Sequence, residues 1–299
     1  HFGMLGCYYE PERLADLYIS QKQNSLFFDD IAEFWQWDKD GAARMTPGLT
    51  VDVFELCGGH ANTGWLLVRR GYEHGVNFDI NAGFNLRTQG HQNYLWEYLE
   101  SRKPRIALIS TPCTGMKGFK ALNQAINPQA YHKSRNLSVP LSRLGGEVAY
   151  HQASQKRHFV AEHPKDSDQW KLPEWRKLAE DFSIAWTYVD QCMADNAKRA
   201  NDAKNLGRDA RVRKPSEFWA SDERLIKELR PLQCDQRHQH ADLAARDPQR
   251  AHAKAKDTAR WPLDVCRRIT RGCAVVLEDE KESWLSTVDT VAPETAPTK

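Results

Sequence analysis

The stretch Val51 to Gly64, VDVFELCGGHANTG, sets an apolar run, a glycine turn and a helix-forming segment in immediate succession. Few folds accept that order. A strand apolar on both faces must be covered on both sides, and a turn of small residues lets backbone approach a helix or a ligand closely. The pattern then repeats, with strands over 51–56, 74–78, 106–110, 158–162 and 184–189 and helices over 62–70, 92–101, 141–155 and 175–181. Such alternation predicts an α/β fold of the Rossmann-like kind, a mostly parallel sheet flanked by helices.

The remainder of the chain is read around that unit. Residues 1–48 form an N-terminal helical extension, in which Phe27, Phe28, Ile31, Phe34 and Trp35 recur at helical spacing. The main domain covers 49–219, a small basic region with a closing helix covers 220–285, and the proline- and threonine-bearing 286–299 reads as a disordered tail. Thr114 to Pro140 reads as a loop whose glycines Gly115 and Gly118 would let it act as a flap. The chain starts at His1 without a charged-then-apolar leader, as expected of a domain cut from a longer polypeptide or a processed product.

No apolar run approaches the roughly 18 residues that span a bilayer, so no membrane segment is expected. Seven cysteines, an odd number without regular spacing, argue against a disulfide framework and for an intracellular reducing compartment, with which the nucleus is compatible. The net charge is +2, but residues 1–50 carry 4 Lys/Arg against 8 Asp/Glu while 198–271 carry 19 against 11. The basic half is the candidate nucleic-acid face, and a solvated surface is the alternative.

Ligands of open α/β sheets bind beyond the carboxyl ends of the strands. There Phe54, Glu55, Gly58 and Gly59 surround the first turn, Asp79 ends the second strand as a ribose acceptor, and Asn85 with Leu86 follows as a candidate contact to a base. Leu56 stands where a dinucleotide fingerprint has its first glycine. A cofactor with a ribose and no phosphate, S-adenosylmethionine, therefore fits better than a dinucleotide. A plain strand-to-helix turn, and for Asn85 a turn asparagine, are the alternatives.

The third strand ends in Thr111-Pro112-Cys113-Thr114, and the fourth in Ala161-Glu162-His163-Pro164. With EHPKDSDQW, VDQCMAD, KPSEFWAS, CDQRHQH and RWPLDVCRRITRG, these segments resemble the cytosine-5 methyltransferases, most closely the divergent methyltransferase-like domains of retroelement polyproteins. The resemblance spans Val51 to Gly272. It implies a class I methyltransferase fold, Cys113 as the thiolate that adds to cytosine carbon 6, and Glu162 as the acid that relieves charge on the ring. The family's Gln-x-Arg-x-Arg is matched here only by Arg211 and Arg213, which would contact substrate. A buried packing thiol and a surface carboxylate are the alternatives for Cys113 and Glu162.

Cys234, His238 and His240 lie within seven residues, and Cys192 would complete a tetrahedral zinc site, a polar loop being the alternative. The resulting expectation is an S-adenosylmethionine-dependent methyltransferase acting on cytosine carbon 5 in nucleic acid, DNA above RNA. Two others stay open: a non-catalytic nucleic-acid-binding module of a mobile-element polyprotein, and a methyltransferase for RNA or a small molecule.

Overall fold

The structure, a computed structural model, describes residues 51–117, 120–195, 197, 210–241 and 260–289. The expected helix over 27–35, Gly118 and residues 290–299 lie outside them. In chain order the strands are β1 Val53–Leu56, β2 His74–Phe78, β3 Ile106–Ile109, β4 His158–Pro164, β5 Ala185–Asp190, β6 Arg211–Val212, β7 Pro215–Ala220 and β8 His240–Ala241. The helices are α1 Asn62–Val68, α2 Gln89–Arg102, α3 Lys120–Ile126, α4 Pro128–Ser154, α5 Pro173–Asp181 and α6 Leu263–Asp289.

Six strands form one sheet in the order β2, β1, β3, β4, β7, β5. β1 runs parallel to β2 and β3, and β3 to β4, whereas β7 runs antiparallel to both β4 and β5. The expected α/β architecture, mostly parallel and flanked by helices, is thus present. The strand order reverses direction at β1, which makes the crevice beyond the carboxyl ends of β1 and β3 the topological switch point.

Period-two alternation assigns the two faces. Phe54, Leu56, Ala107, Ile109, Phe159 and Ala161 point into a core shared with Leu95, Tyr98 and Leu99 of α2, Leu144 and Val148 of α4, and Trp175 and Leu178 of α5. Val53, Ile106, Leu108 and Val160 point the other way, onto Leu67 of α1, Val265, Ile269 and Cys273 of α6, and Leu225, Ile226 and Leu229 from two 3-10 turns. Leu225 to Leu232 and the described first half of α6 thus cover this face together with α1.

The amino ends of the strands are clamped. Arg105 binds Asp52, Glu280 and the Leu277 carbonyl, and His158 meets Glu280 at 2.9 Å.

Several expectations are corrected. From Lys120 on, the segment expected as a loop is helical: α3 begins at Lys120, and α4 starts 13 residues before the expected Leu141. Asn127 caps α4 by accepting from the Ala130 amide at 3.0 Å, and Pro128 suits the first turn. Burial of Tyr131, Ser138 and Ser142 keeps the helix going through Pro140. β7, with its leading proline, was not expected, and α6 continues to Asp289 into the expected tail. Among the described residues no helix is long and apolar enough to cross a membrane.

Candidate functional site

The turn after β1 is held from below by side chains. Gly58 donates its amide to Asn77 Oδ1 at 3.2 Å, Gly59 to Asp79 Oδ2 at 3.0 Å, and Gly64 to Glu55 Oε1 at 2.8 Å. Asn77 Nδ2 returns a bond to the Gly59 carbonyl. Gly58 admits no larger residue, because a Cβ there would lie 2.0 Å from Glu55 Oε2. Gly59, at φ +59°, faces open space instead. Cys57 and Ala61 also adopt positive φ, a costly conformation for residues with a Cβ and one concentrated at functional sites.

These bonds decide what the turn can receive. Three of its amides are already satisfied and two buried carboxylates, Glu55 and Asp79, stand beside it, so a phosphate would meet acceptors rather than donors. Each Asp79 oxygen accepts one amide, from Gly59 or Asn81, and retains a second lone pair. Ile80, next in sequence, is 65% exposed and offers an apolar surface at the end of β2.

The other expected cofactor contacts lie elsewhere. Phe54 is fully buried against Phe78 and Tyr98, and Leu86 is in the same core. Glu55 is turned beneath the glycines, where it also meets His74 Nε2 at 3.4 Å. Asn85 caps a turn, its Oδ1 accepting from the Arg87 amide, which is the alternative reading of that residue. Of the seven residues named for the cofactor, Gly58, Gly59 and Asp79 form the mouth.

Cys113 and Glu162 come together at the ends of the adjacent strands β3 and β4, and Lys214 joins them. The reversal of β7 explains this third residue: β7 enters the sheet at the end where β4 and β5 leave it, so the residue before Pro215 sits between their carboxyl ends. Lys214 Nζ lies 3.6 Å from Glu162 Oε1, both side chains being largely buried. No hydrogen bond satisfies that oxygen among the described residues. Burial pushes the Cys113 thiol up, Lys214 pulls it down, and Glu162 adds to the rise. Cys266 and Cys273 are pushed up to about 12 by burial, as suits inert packing thiols.

Opposite effects on Cys113 are therefore expected from its two charged neighbours. Because the thiolate is the reactive form, Lys214→Met should slow alkylation of Cys113 several-fold at neutral pH, and Glu162→Gln should hasten it. Alkylation rates at Cys113, followed by peptide mapping across pH, check both signs. Equal rates in all three proteins would show that neither charge reaches the thiol.

Around this trio the polar atoms are incompletely paired. His163 is fully buried with Nδ1 2.6 Å from Ser167 Oγ, while its Nε2 makes no well-formed hydrogen bond among the described residues. Burial, outweighing Glu162 and the Pro112 carbonyl, holds its pKa down at about 4, so the ring is neutral. Gln169 Oε1 accepts from Thr111 Oγ1 at 2.6 Å, which ties the loop after β4 to the loop after β3. Cations crowd the same loops: Lys117 pairs with Asp166, and Lys120, Arg135 and Lys171 gather on Asp168.

Between 210 and 271, in contrast, much of the described positive charge is engaged internally. Arg224 meets Asp222 and Asp279, Arg268 meets Asp264, and Arg271 meets Glu228. Arg211 donates to the Cys192 carbonyl at 3.0 Å and Arg213 to Asp190 at 2.9 Å, so both face the end of β5, and Lys214 is the cation at Glu162.

Beside those arginines, the ligand atoms of Cys192, Cys234, His238 and His240 all lie within 4.8 Å of one another. Cys192 arrives from the turn after β5, and β8 carries His240 alongside Arg211 of β6. The chain matches no known protein-family model and no curated protein, so its site must be judged on this geometry.

Proposed function

We propose that the chain is an S-adenosylmethionine-dependent methyltransferase acting on carbon 5 of cytosine in nucleic acid, with DNA the favoured substrate. One observation carries the reading: a half-buried thiol, a buried carboxylate with an unsatisfied oxygen, and an ammonium group meet beyond the ends of β3 and β4, at the edge of the switch point. Buried polar atoms without partners are uncommon, and a group of them at strand ends is what an incoming polar ring would complete.

The mouth beside β1 and β2 fits the cofactor. Asp79 has acceptor capacity for two ribose hydroxyls, Gly59 leaves room for close approach, and Ile80 presents an apolar face for a purine. Glu55 and Asp79 oppose a polyanion and suit a sulfonium cation. When bound, S-adenosylmethionine supplies an electrophilic methyl group.

The protein's own residues would do the rest. Cys113, after losing its proton to solvent, adds to carbon 6 of the base and makes carbon 5 nucleophilic. Glu162, which would take up a proton from solvent as the base binds, faces ring nitrogen 3 and donates that proton as negative charge develops there. Lys214 holds the charge of this pair and favours the thiolate. Solvent then takes the carbon 5 proton, the bond between carbons 5 and 6 becomes double again, and Cys113 leaves carbon 6 as a thiolate. A base within a duplex is out of reach of such a site, so the target must be flipped out or single-stranded. Lys117, Lys120 and Arg135, gathered on Asp166 and Asp168 beyond β3 and β4, are the cations that would exchange those carboxylates for its phosphates.

Transfer of labelled methyl from S-adenosylmethionine to DNA, RNA and free cytosine, with identification of the product, tests the proposal. 5-Methylcytosine in DNA is the expected product, and Asp79→Ala should weaken cofactor binding in calorimetry. Absence of cofactor binding by the parent protein would favour the inert-module reading. Label on an exocyclic nitrogen, a ribose or a small molecule would favour a different methyltransferase.

A further inference from the structure

We propose that Cys192, Cys234, His238 and His240 hold one zinc ion in a closed tetrahedral site, and that this ion fixes the segment delivering Lys214 to Glu162. The cluster's own geometry would hold the ion whether or not the chain transfers methyl groups.

Tetrahedral zinc at ordinary Zn–S and Zn–N lengths sets its ligand atoms roughly 3.3–3.8 Å apart. Cys234 Sγ lies 3.3 Å from His240 Nε2 and 3.8 Å from His238 Nε2, and all four ligand atoms fall within 4.8 Å. Two thiolates with two imidazoles select zinc over magnesium or calcium, which take oxygen ligands. A full set of four protein ligands leaves no open position, as in structural rather than catalytic zinc sites.

The surroundings are those of a supported site. The Gln236 amide donates to Cys234 Sγ at 3.3 Å, with Gln236 in a left-handed turn that wraps the sulfur. The Cys234 amide donates to Asp190 Oδ2 at 2.9 Å, and the same buried carboxylate accepts from Arg213 Nε. Such outer contacts orient metal ligands and tune them.

The same contacts lead to Lys214. Arg211 is bonded to the Cys192 carbonyl and, through its amide, to the Gln239 carbonyl; Arg213 is bonded to Asp190; and the Lys214 carbonyl accepts from the Gln191 amide. Residues 211 to 214 are thus stitched to segments that the ion would join: the turn holding Cys192 and the loop holding Cys234, His238 and His240. β6 and β8 pair over only two residues each, so an ion joining these segments would add a crosslink to the corner.

The test uses the full chain purified without chelator. Native mass spectrometry should show one zinc per chain. Cobalt substitution should give the visible bands of a tetrahedral ion together with thiolate-to-cobalt charge transfer. Cys234→Ser and His240→Ala should lose the metal, while Cys113→Ser keeps it. In the parent protein, Cys192 and Cys234 should resist alkylation until a chelator is added, and then both should react. No zinc after incubation with the metal, or an octahedral cobalt spectrum without sulfur charge transfer, would overturn the site without reference to any variant. Chelation should also slow alkylation of Cys113, as Lys214 leaves Glu162; an unchanged rate with the zinc gone would overturn the link to Lys214 and leave the metal site standing.

Discussion

Cys113→Ser is expected to reduce methyl transfer to background while leaving affinity for S-adenosylmethionine nearly unchanged. Serine keeps roughly the size of the side chain but is a far weaker nucleophile at neutral pH. The cofactor contacts proposed for Gly59, Asp79 and Ile80 lie beyond β1 and β2, so calorimetry should register little change. Glu162→Gln should cost less, roughly 10²–10⁴-fold in rate, as expected when a positioned proton donor is replaced by an amide. Rate measurements under saturating cofactor check both. Transfer by the serine enzyme at the parent rate would make Cys113 a lining residue.

Trp175→Ala should cost about 3–5 kcal/mol of stability, the usual range for emptying a large aromatic site in a core. Trp175 is fully buried, donates its indole N–H to the Ser142 carbonyl at 2.8 Å, and lies edge-on to Trp170 at 5.1 Å between ring centres. Trp170 in turn stacks on Trp219 of β7 at 4.5 Å. The substitution therefore opens a cavity under the loop that carries Gln169 and binds Thr111 beside Cys113. A fall in the melting midpoint on the order of 10 °C is expected, measured by calorimetry or circular dichroism. A shift within the error of the measurement would show that the tryptophans do not form the cover of this face.

What the sequence disclosed follows from which forces are local. β1 to β4 are almost wholly buried, and their short, largely apolar runs bounded by turn residues declare themselves. β7 is different: only Ser216, Phe218 and Ala220 are buried, and Pro215, Glu217 and Trp219 alternate with them, so Lys-Pro-Ser-Glu-Phe-Trp-Ala gives a weak strand signal. Missing β7 meant missing Lys214, whose place depends on the strand's reversed direction and has no mark in the residues around it. The first half of α4 was hidden by polar residues and Pro140, which tertiary burial of Tyr131 and Ser138 overrides.

The site shows the same division. Cys113 and Glu162 were legible because each ends an apolar strand. Phe54 is covered by packing from distant α2, and Leu86 joins the same core. The family resemblance implies substrate contacts for Arg211 and Arg213, but the Cys192 carbonyl and Asp190, about twenty residues away in sequence, decide where they point. Three of the four clustered metal-ligand residues are neighbours in sequence, and only Cys192 needed the fold to bring it to them.

The most direct measurement is covalent capture on DNA whose cytosines carry fluorine at carbon 5. Elimination needs a proton at that carbon, so after methyl transfer the sulfur bond should persist. With S-adenosylmethionine present, the account predicts a denaturation-resistant protein–DNA complex, methyl label within it, and the modified peptide containing Cys113. A protein that methylates ordinary cytosine at carbon 5 yet forms no such complex, or forms it through a different residue, would contradict the account.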